Sequence, residues 1–104
     1  MSSLSTHVLD TALGRPAQGV PVQLYTGEAV FATGTTDADG RIALAPDLGP
    51  GTYRLCFDVT TYAESTGQEF FFPEVTVTFT VADERHYHVP LLLSPFAFST
   101  YRGS

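Results

Sequence analysis

The sequence predicts an all-β protein, a sandwich or barrel of short strands with one short helix. Three observations carry that expectation. Apolar and polar residues alternate with a period of two along most of the chain, and helical spacing is scarce. Gly, Pro and Asp clusters punctuate the alternating runs at short intervals. No repeat, linker or low-complexity stretch interrupts the 104 residues, a length that fits one domain over 1–104.

The elements follow in order. Leu4 to Asp10 is a first strand, with Thr6 and Val8 on one face and Ser5, His7 and Leu9 on the other. Val20 to Tyr25 and Ala29 to Thr35 are the second and third. Asp37-Ala38-Asp39-Gly40 is a turn with Gly where a positive φ is needed. Arg41 to Ala45 is a short fourth strand, followed by a Pro/Gly loop over 46–51. Thr52 to Val59 is the fifth, with Tyr53, Leu55, Phe57 and Val59 inward and Arg54, Cys56 and Asp58 outward. Thr60 to Thr66 is the one stretch that suits a short helix. Phe70-Phe71-Phe72-Pro73 is an apolar anchor leading into a sixth strand, Glu74 to Val81, which turns Val75, Val77, Phe79 and Val81 inward. Ala82 to Arg85 reverses the chain. His86 to Leu93 is the seventh strand and Ser99 to Arg102 the eighth, with Phe96, Phe98 and Tyr101 as bulky anchors that order the chain to Ser104.

Composition excludes several functions. A net charge of −6 argues against a nucleic-acid partner, which needs basic patches. All five basic residues are Arg, so no lysine is available for Schiff-base chemistry. The single Cys56 cannot form an intrachain disulfide and fits a reducing compartment. No run is long and apolar enough to span a membrane, and Met1-Ser2-Ser3-Leu4 lacks the basic and apolar regions of a secretory signal. A cytoplasmic protein is expected.

All three histidines lie in the first and seventh strands. His86 and His88 share a strand face, roughly 7 Å apart at Cα, while Tyr87, Val89 and Leu91 point into the core. Taken singly, a histidine is more often structural than catalytic, and an arginine after a turn is more often solvated than functional. Cys56 has no histidine nearby in sequence and reads as a structural thiol. Asp37 and Asp39 look like a fragment of a calcium loop, but no twelve-residue ligand pattern follows, so they read as turn residues. Gly49-Pro50-Gly51 lacks the Gly-Lys-Ser/Thr of a phosphate loop. His86 and His88 with His7 as a third ligand would suit a catalytic zinc ion with an open water position. Arg41 beside such a site would repel a cation.

Three stretches together resemble one family over essentially the whole chain, the transthyretin-like 5-hydroxyisourate hydrolases. They are Leu4-Ser5-Thr6-His7-Val8-Leu9-Asp10, Asp37-Ala38-Asp39-Gly40-Arg41, and His86-Tyr87-His88-Val89-Pro90-Leu91-Leu92-Leu93-Ser94 with the closing Tyr101-Arg102-Gly103-Ser104. The resemblance implies an eight-stranded Greek-key β-sandwich of the transthyretin (prealbumin-like) type. Its strand orders are fourth-first-seventh-eighth and third-second-fifth-sixth. If the first strand neighbours the seventh, His7 and His88 meet on one face about one strand spacing apart, ~4.8 Å. A flat outer sheet face cannot enclose a small molecule alone. The resemblance supplies the cover, a homotetramer (a dimer of dimers) whose sites lie between the dimers and are completed by the partner's C-terminal residues.

The reaction so implied is hydrolysis of 5-hydroxyisourate to 2-oxo-4-hydroxy-4-carboxy-5-ureidoimidazoline in urate degradation, without cofactor or metal. His7 and His88 would handle the water, and Arg41 would bind the flat ring and stabilise charge on the carbonyl oxygen. Tyr101 and Ser104 would position ring and water, and His86 would support the site from behind. Which histidine is the base stays open in the sequence. Two other readings are open. Transthyretin, a hormone carrier, shares the sandwich but lacks the first-strand histidine, the arginine after the turn and the terminal signature, all present here. A noncatalytic Greek-key interaction module would tolerate His88→Ala and bind no defined small ligand.

Overall fold

The computed structural model describes residues 2–103. In chain order the elements are β1 (Ser2–Asp10), β2 (Arg15–Pro16), β3 (Pro21–Thr26), β4 (Ala29–Thr35), β5 (Arg41–Leu48), β6 (Gly51–Asp58), α1 (Val59–Thr66), β7 (Glu74–Val81), β8 (Tyr87–Ser94) and β9 (Ala97–Thr100). One sheet runs β2-β1-β8-β9 with β5 also paired to β1, and the other runs β4-β3-β6-β7. Both expected strand orders hold. The addition is β2, which pairs Arg15 and Pro16 with Asp10 and Leu9 beyond the last β5 pair at His7. Two residues are too few to show alternation, so the sequence gives no sign of it.

The alternation of β1 is complete: Ser2, Leu4, Thr6, Val8 and Asp10 are buried, and Ser3, Ser5, His7 and Leu9 are partly exposed. In β8 the buried set is Tyr87, Val89, Pro90, Leu91 and Leu93. Because a one-residue slip would turn an entire buried face outward, these two sets exclude odd slips between β1 and β8. They pair in parallel, whereas every other strand pair among the described residues is antiparallel. The inner faces meet in one core that includes Leu4, Val8, Leu24, Leu55, Phe57 and Leu91. Each such side chain contributes about 1.5–3 kcal/mol on burial.

Several boundaries move. β5 continues through Pro46 to Leu48 where a loop was expected. It is an edge strand, where a missing amide hydrogen is tolerated, and its register with β1 shifts between the Ser2/Leu48 and Leu4/Ala45 pairs to absorb the proline. β9 starts two residues early, and past it Gly103 bridges to His88. Phe96, Phe98 and Tyr101 do not anchor the chain end in its own core: they are 78%, 40% and 58% exposed. Of the Phe70–Phe72 run, Phe70 packs on the core, while Phe71 is exposed.

The helix is held at both ends. Asp58 caps its start by accepting from the Thr61 amide, and Gly67, in the left-handed region, closes its end. Its inner face carries Val59, Tyr62 and Ala63. Tyr62 donates from its hydroxyl to buried Asp10 at 2.6 Å, and Gln68 donates to the same oxygen at 3.0 Å. No helix among the described residues is long and apolar enough to cross a membrane.

Candidate active site

The histidines and Arg41 converge on the outer face of the β5-β1-β8 sheet. The turn before β5 sets one side. Asp37 Oδ1 accepts from the Asp39 and Arg41 amides, both at 2.9 Å, and Gly40 sits at φ 72°. A Cβ at Gly40 would also lie 2.3 Å from the Val8 carbonyl oxygen, so the turn needs glycine twice over. The result aims the Asp39 carbonyl at His7, whose Nε2 lies 2.9 Å away. A carbonyl can only accept, so Nε2 carries the proton and, in the neutral ring, Nδ1 carries the lone pair. Arg41 is the direct cross-strand partner of His7. Its exposed guanidinium has no hydrogen bond or ion pair among the described residues.

The β1–β8 register sets the other side and corrects an expectation. His88 lies opposite Ser5, and His7 lies opposite Pro90. The two histidines share a face but are staggered by one same-face step, about 6.6 Å along the strand, rather than adjacent. Burial alone would also allow His7 opposite His88, since a two-residue slip keeps the same faces inward, so the offset is a feature of the packed sheet. The offset leaves Ser5 beside both His88 and His86, its Oγ 2.8 Å from His88 Nδ1 and 2.8 Å from His86 Nε2. His86 precedes the start of β8 at Tyr87 and so lies just outside the strand expected to include it. His86 Nδ1 in turn lies 2.5 Å from Ser3 Oγ.

Behind His88 the chain end closes in. The Gly103 amide donates to the His88 carbonyl at 2.8 Å. A Cβ at Gly103 would fall 2.6 Å from His88 Cδ2, so a bare backbone is what lets the imidazole lie there. Arg102 swings away from this face and stacks its guanidinium 4.4 Å over the Tyr87 ring. Arg85, His86, Arg102 and Gly103 line an open cleft of about 440 Å³ beside the histidines.

The His88 imidazole is held below its ordinary proton affinity, first by burial and then by the positive charge of His7, His86 and Arg41. It is therefore mainly neutral near pH 7. Its Nδ1 is taken by Ser5, and Nε2 has no hydrogen-bond partner among the described residues. A neutral imidazole with one open nitrogen, a second imidazole and a guanidinium on one face can deprotonate a water and stabilise an oxyanion.

Within one chain the structure brings together His7, Arg41, His88 and His86. It does not bring Tyr101 to them. Tyr101 lines a separate cleft of about 250 Å³ between the sheet edges, with Val77, Phe79, Tyr87 and Val89. Ser104 lies outside the described residues. The zinc reading finds no assembled ligand set: among the described residues no three His, Cys, Asp or Glu side chains come together to hold a metal. Cys56 sits on the other sheet, 3.3 Å from Thr76 Oγ1, in a broad groove that contains no histidine. Two residues of the site went unread in the sequence, Ser5 and Gly103. Alternation had put Ser5 on the histidine face, but nothing in one strand says which residue of another it meets.

The sequence profile of the HIUase/Transthyretin family matches residues 4–103. The chain is 49% identical over 113 aligned residues to the 5-hydroxyisourate hydrolase of Mus musculus, covering 99% of this chain and 96% of the relative. Its structure is similar to that of Klebsiella pneumoniae 5-hydroxyisourate hydrolase, with a TM-score of 0.93, 40% identity and full coverage of both chains. It is also similar to sea bream transthyretin in complex with thyroxine, with a TM-score of 0.87, 34% identity, and coverage of 96% of this chain and 93% of that one.

Proposed function

The chain belongs to the HIUase/Transthyretin family, and from that premise we propose that it is a hydrolase that opens the six-membered ring of 5-hydroxyisourate in urate degradation. The observation that carries the reading is one sheet face holding His88, His7 and Arg41 together, on a chain closely similar to hydrolases of that name. Water attacks the ring carbonyl next to the hydroxyl-bearing carbon. His88 Nε2 takes its proton, and the carbonyl oxygen gains charge beside the Arg41 guanidinium. His7, fixed by the Asp39 carbonyl, orients the water or ring through Nδ1. The carbon–nitrogen bond then breaks as the leaving nitrogen is protonated. No covalent intermediate is required.

An open sheet face shields none of this from solvent, so the proposal includes a homotetramer with sites between its dimers. Tyr101, which lines a different cleft from the histidines in its own chain, would then serve a neighbouring subunit's site. Ser104 stays in the proposal on its sequence motif alone. A cytoplasmic setting fits the free thiol of Cys56.

The test is circular dichroism during urate oxidation by a urate oxidase, with and without this protein. Uncatalysed decay of the intermediate yields racemic, optically silent product. Faster loss of the intermediate with a growing optically active product is the expected result. An unchanged background rate with folded protein would overturn the hydrolase reading and leave a binding protein of the same fold.

A further inference from the structure

We infer that Ser3, His86, Ser5 and His88 form a proton relay, through which exposed His86 takes up the positive charge while His88 holds the proton of the attacking water. This rests on the hydrolase reading and assigns His86 and Ser5 as positioning residues that act through His88. The geometry is continuous. Ser3 Oγ lies 2.5 Å from His86 Nδ1, His86 Nε2 lies 2.8 Å from Ser5 Oγ, and Ser5 Oγ lies 2.8 Å from His88 Nδ1. Every member both donates and accepts, which is the requirement for passing a proton along a chain.

The chain has two directions, and they set opposite states at the working nitrogen. In one, His88 Nδ1–H donates to Ser5, the Ser5 hydroxyl donates to His86 Nε2, and His86 Nδ1–H donates to Ser3. His88 Nε2 then carries a lone pair and is a base. In the other, each bond is reversed, His88 Nδ1 accepts from Ser5, and Nε2 carries the proton and is an acid. Neither state places a net charge on the site.

The steps balance. On attack the water oxygen bonds to the carbonyl carbon, and the carbonyl π pair moves to the oxygen facing Arg41. The water proton goes to His88 Nε2, the Nδ1 proton goes to Ser5, and the Ser5 proton goes to His86 Nε2. The positive charge thus appears on His86, which is exposed and beside an open cleft, and not on His88, where burial and neighbouring cations disfavour it. When the carbon–nitrogen bond breaks, the leaving nitrogen takes the Nε2 proton, and the chain runs back to its base state. The charged groups around the relay are His7 on β1, Arg41 on β5 with Asp37 and Asp39 in the turn before it, Asp83 and Glu84 in the turn before His86, with Asp83 ion-paired to Arg85 at 2.8 Å, and Arg85 and Arg102 at the cleft. The added imidazolium on His86 is therefore solvated, and its charge is not stranded.

The test compares steady-state turnover of wild type, His86→Ala, Ser5→Ala and the double variant, each verified as folded, with His88→Ala as the inactive reference. Each single variant is expected to lose about tenfold or more in kcat with KM within about twofold, and the double is expected to be no slower than the slower single. Added imidazole is expected to restore His86→Ala in a concentration-dependent way. The acid limb of its pH profile should move upward, because one cation beside His88 is gone. Wild-type turnover in His86→Ala, a slow His86→Ala that imidazole does not restore, or additive losses in the double variant would each overturn the relay. Absence of any acceleration by the wild type would overturn the hydrolase reading itself, before a variant is made.

Discussion

His88 is where burial, register and charge act on one ring. Its carbonyl is bridged by Gly103, its Nδ1 is held by Ser5, and three neighbouring cationic groups weaken its hold on a proton. Replacing it by alanine removes the base and leaves the buried side of β8 unchanged. His88→Ala should fold normally, by far-ultraviolet circular dichroism, and lose about 10²-fold or more in turnover. The sign of the pH dependence follows from the same environment. Protonation disables the ring, and its proton affinity is lowered, so kcat/KM should hold through neutrality and fall only below the ordinary histidine value of about 6.5. An acid limb centred above that value would contradict the neutral-base assignment. Gly103→Ala drives a methyl into the imidazole edge. It should lower kcat several-fold or more while thermal stability changes by no more than about 1 kcal/mol, since the site is near the chain end.

At the scale of elements, β1 does two jobs with its two faces, core on one and site on the other. Its far end is tied to α1 through Asp10, which accepts from Tyr62, Gln68 and the Leu13 and Ala12 amides. Burial acts to raise the Asp10 carboxyl, but the four hydrogen bonds more than offset it and hold the group below the usual carboxylate range. Burial likewise pushes the Tyr62 hydroxyl up, followed by its bond to Asp10, so Tyr62 stays protonated and donating. A depressed folded value means that Asp10 contributes stability above about pH 4, and that this is lost as pH falls through the folded value. Tyr62→Phe should cost about 1–2 kcal/mol, a fall in Tm of roughly 4–8 °C per kcal/mol, and should start acid unfolding at a higher pH. A melting temperature within a degree of wild type would mean that the Tyr62 bond is dispensable to the link between β1 and α1.

At the scale of the whole molecule, the chain exposes Phe71, Phe96, Phe98 and Tyr101, at 70%, 78%, 40% and 58%. The site itself lies on an open sheet face, which neither encloses a flat ring nor excludes water. The proposed tetramer resolves both facts. It should sediment at four times the 11.2 kDa chain mass, and specific activity should fall on dilution below the assembly constant. A fully active monomer would place the whole site within one chain. The alternating pattern of β1, β6, β7 and β8 made their faces readable in advance, because a half-buried strand must alternate. The histidines and Arg41 were readable because they sit at fixed places in those strands and turns. Strand register was not, since it depends on how two buried faces interlock. Tertiary structure alone staggered His7 from His88, set Ser5 between His86 and His88, laid Gly103 against the imidazole and put Tyr101 in a different cleft. The sequence by itself determined which residues face which way, a property of each strand and its own period. Only the packed sheets decided which residues of different strands touch, and so which nitrogen of His88 is left open for chemistry.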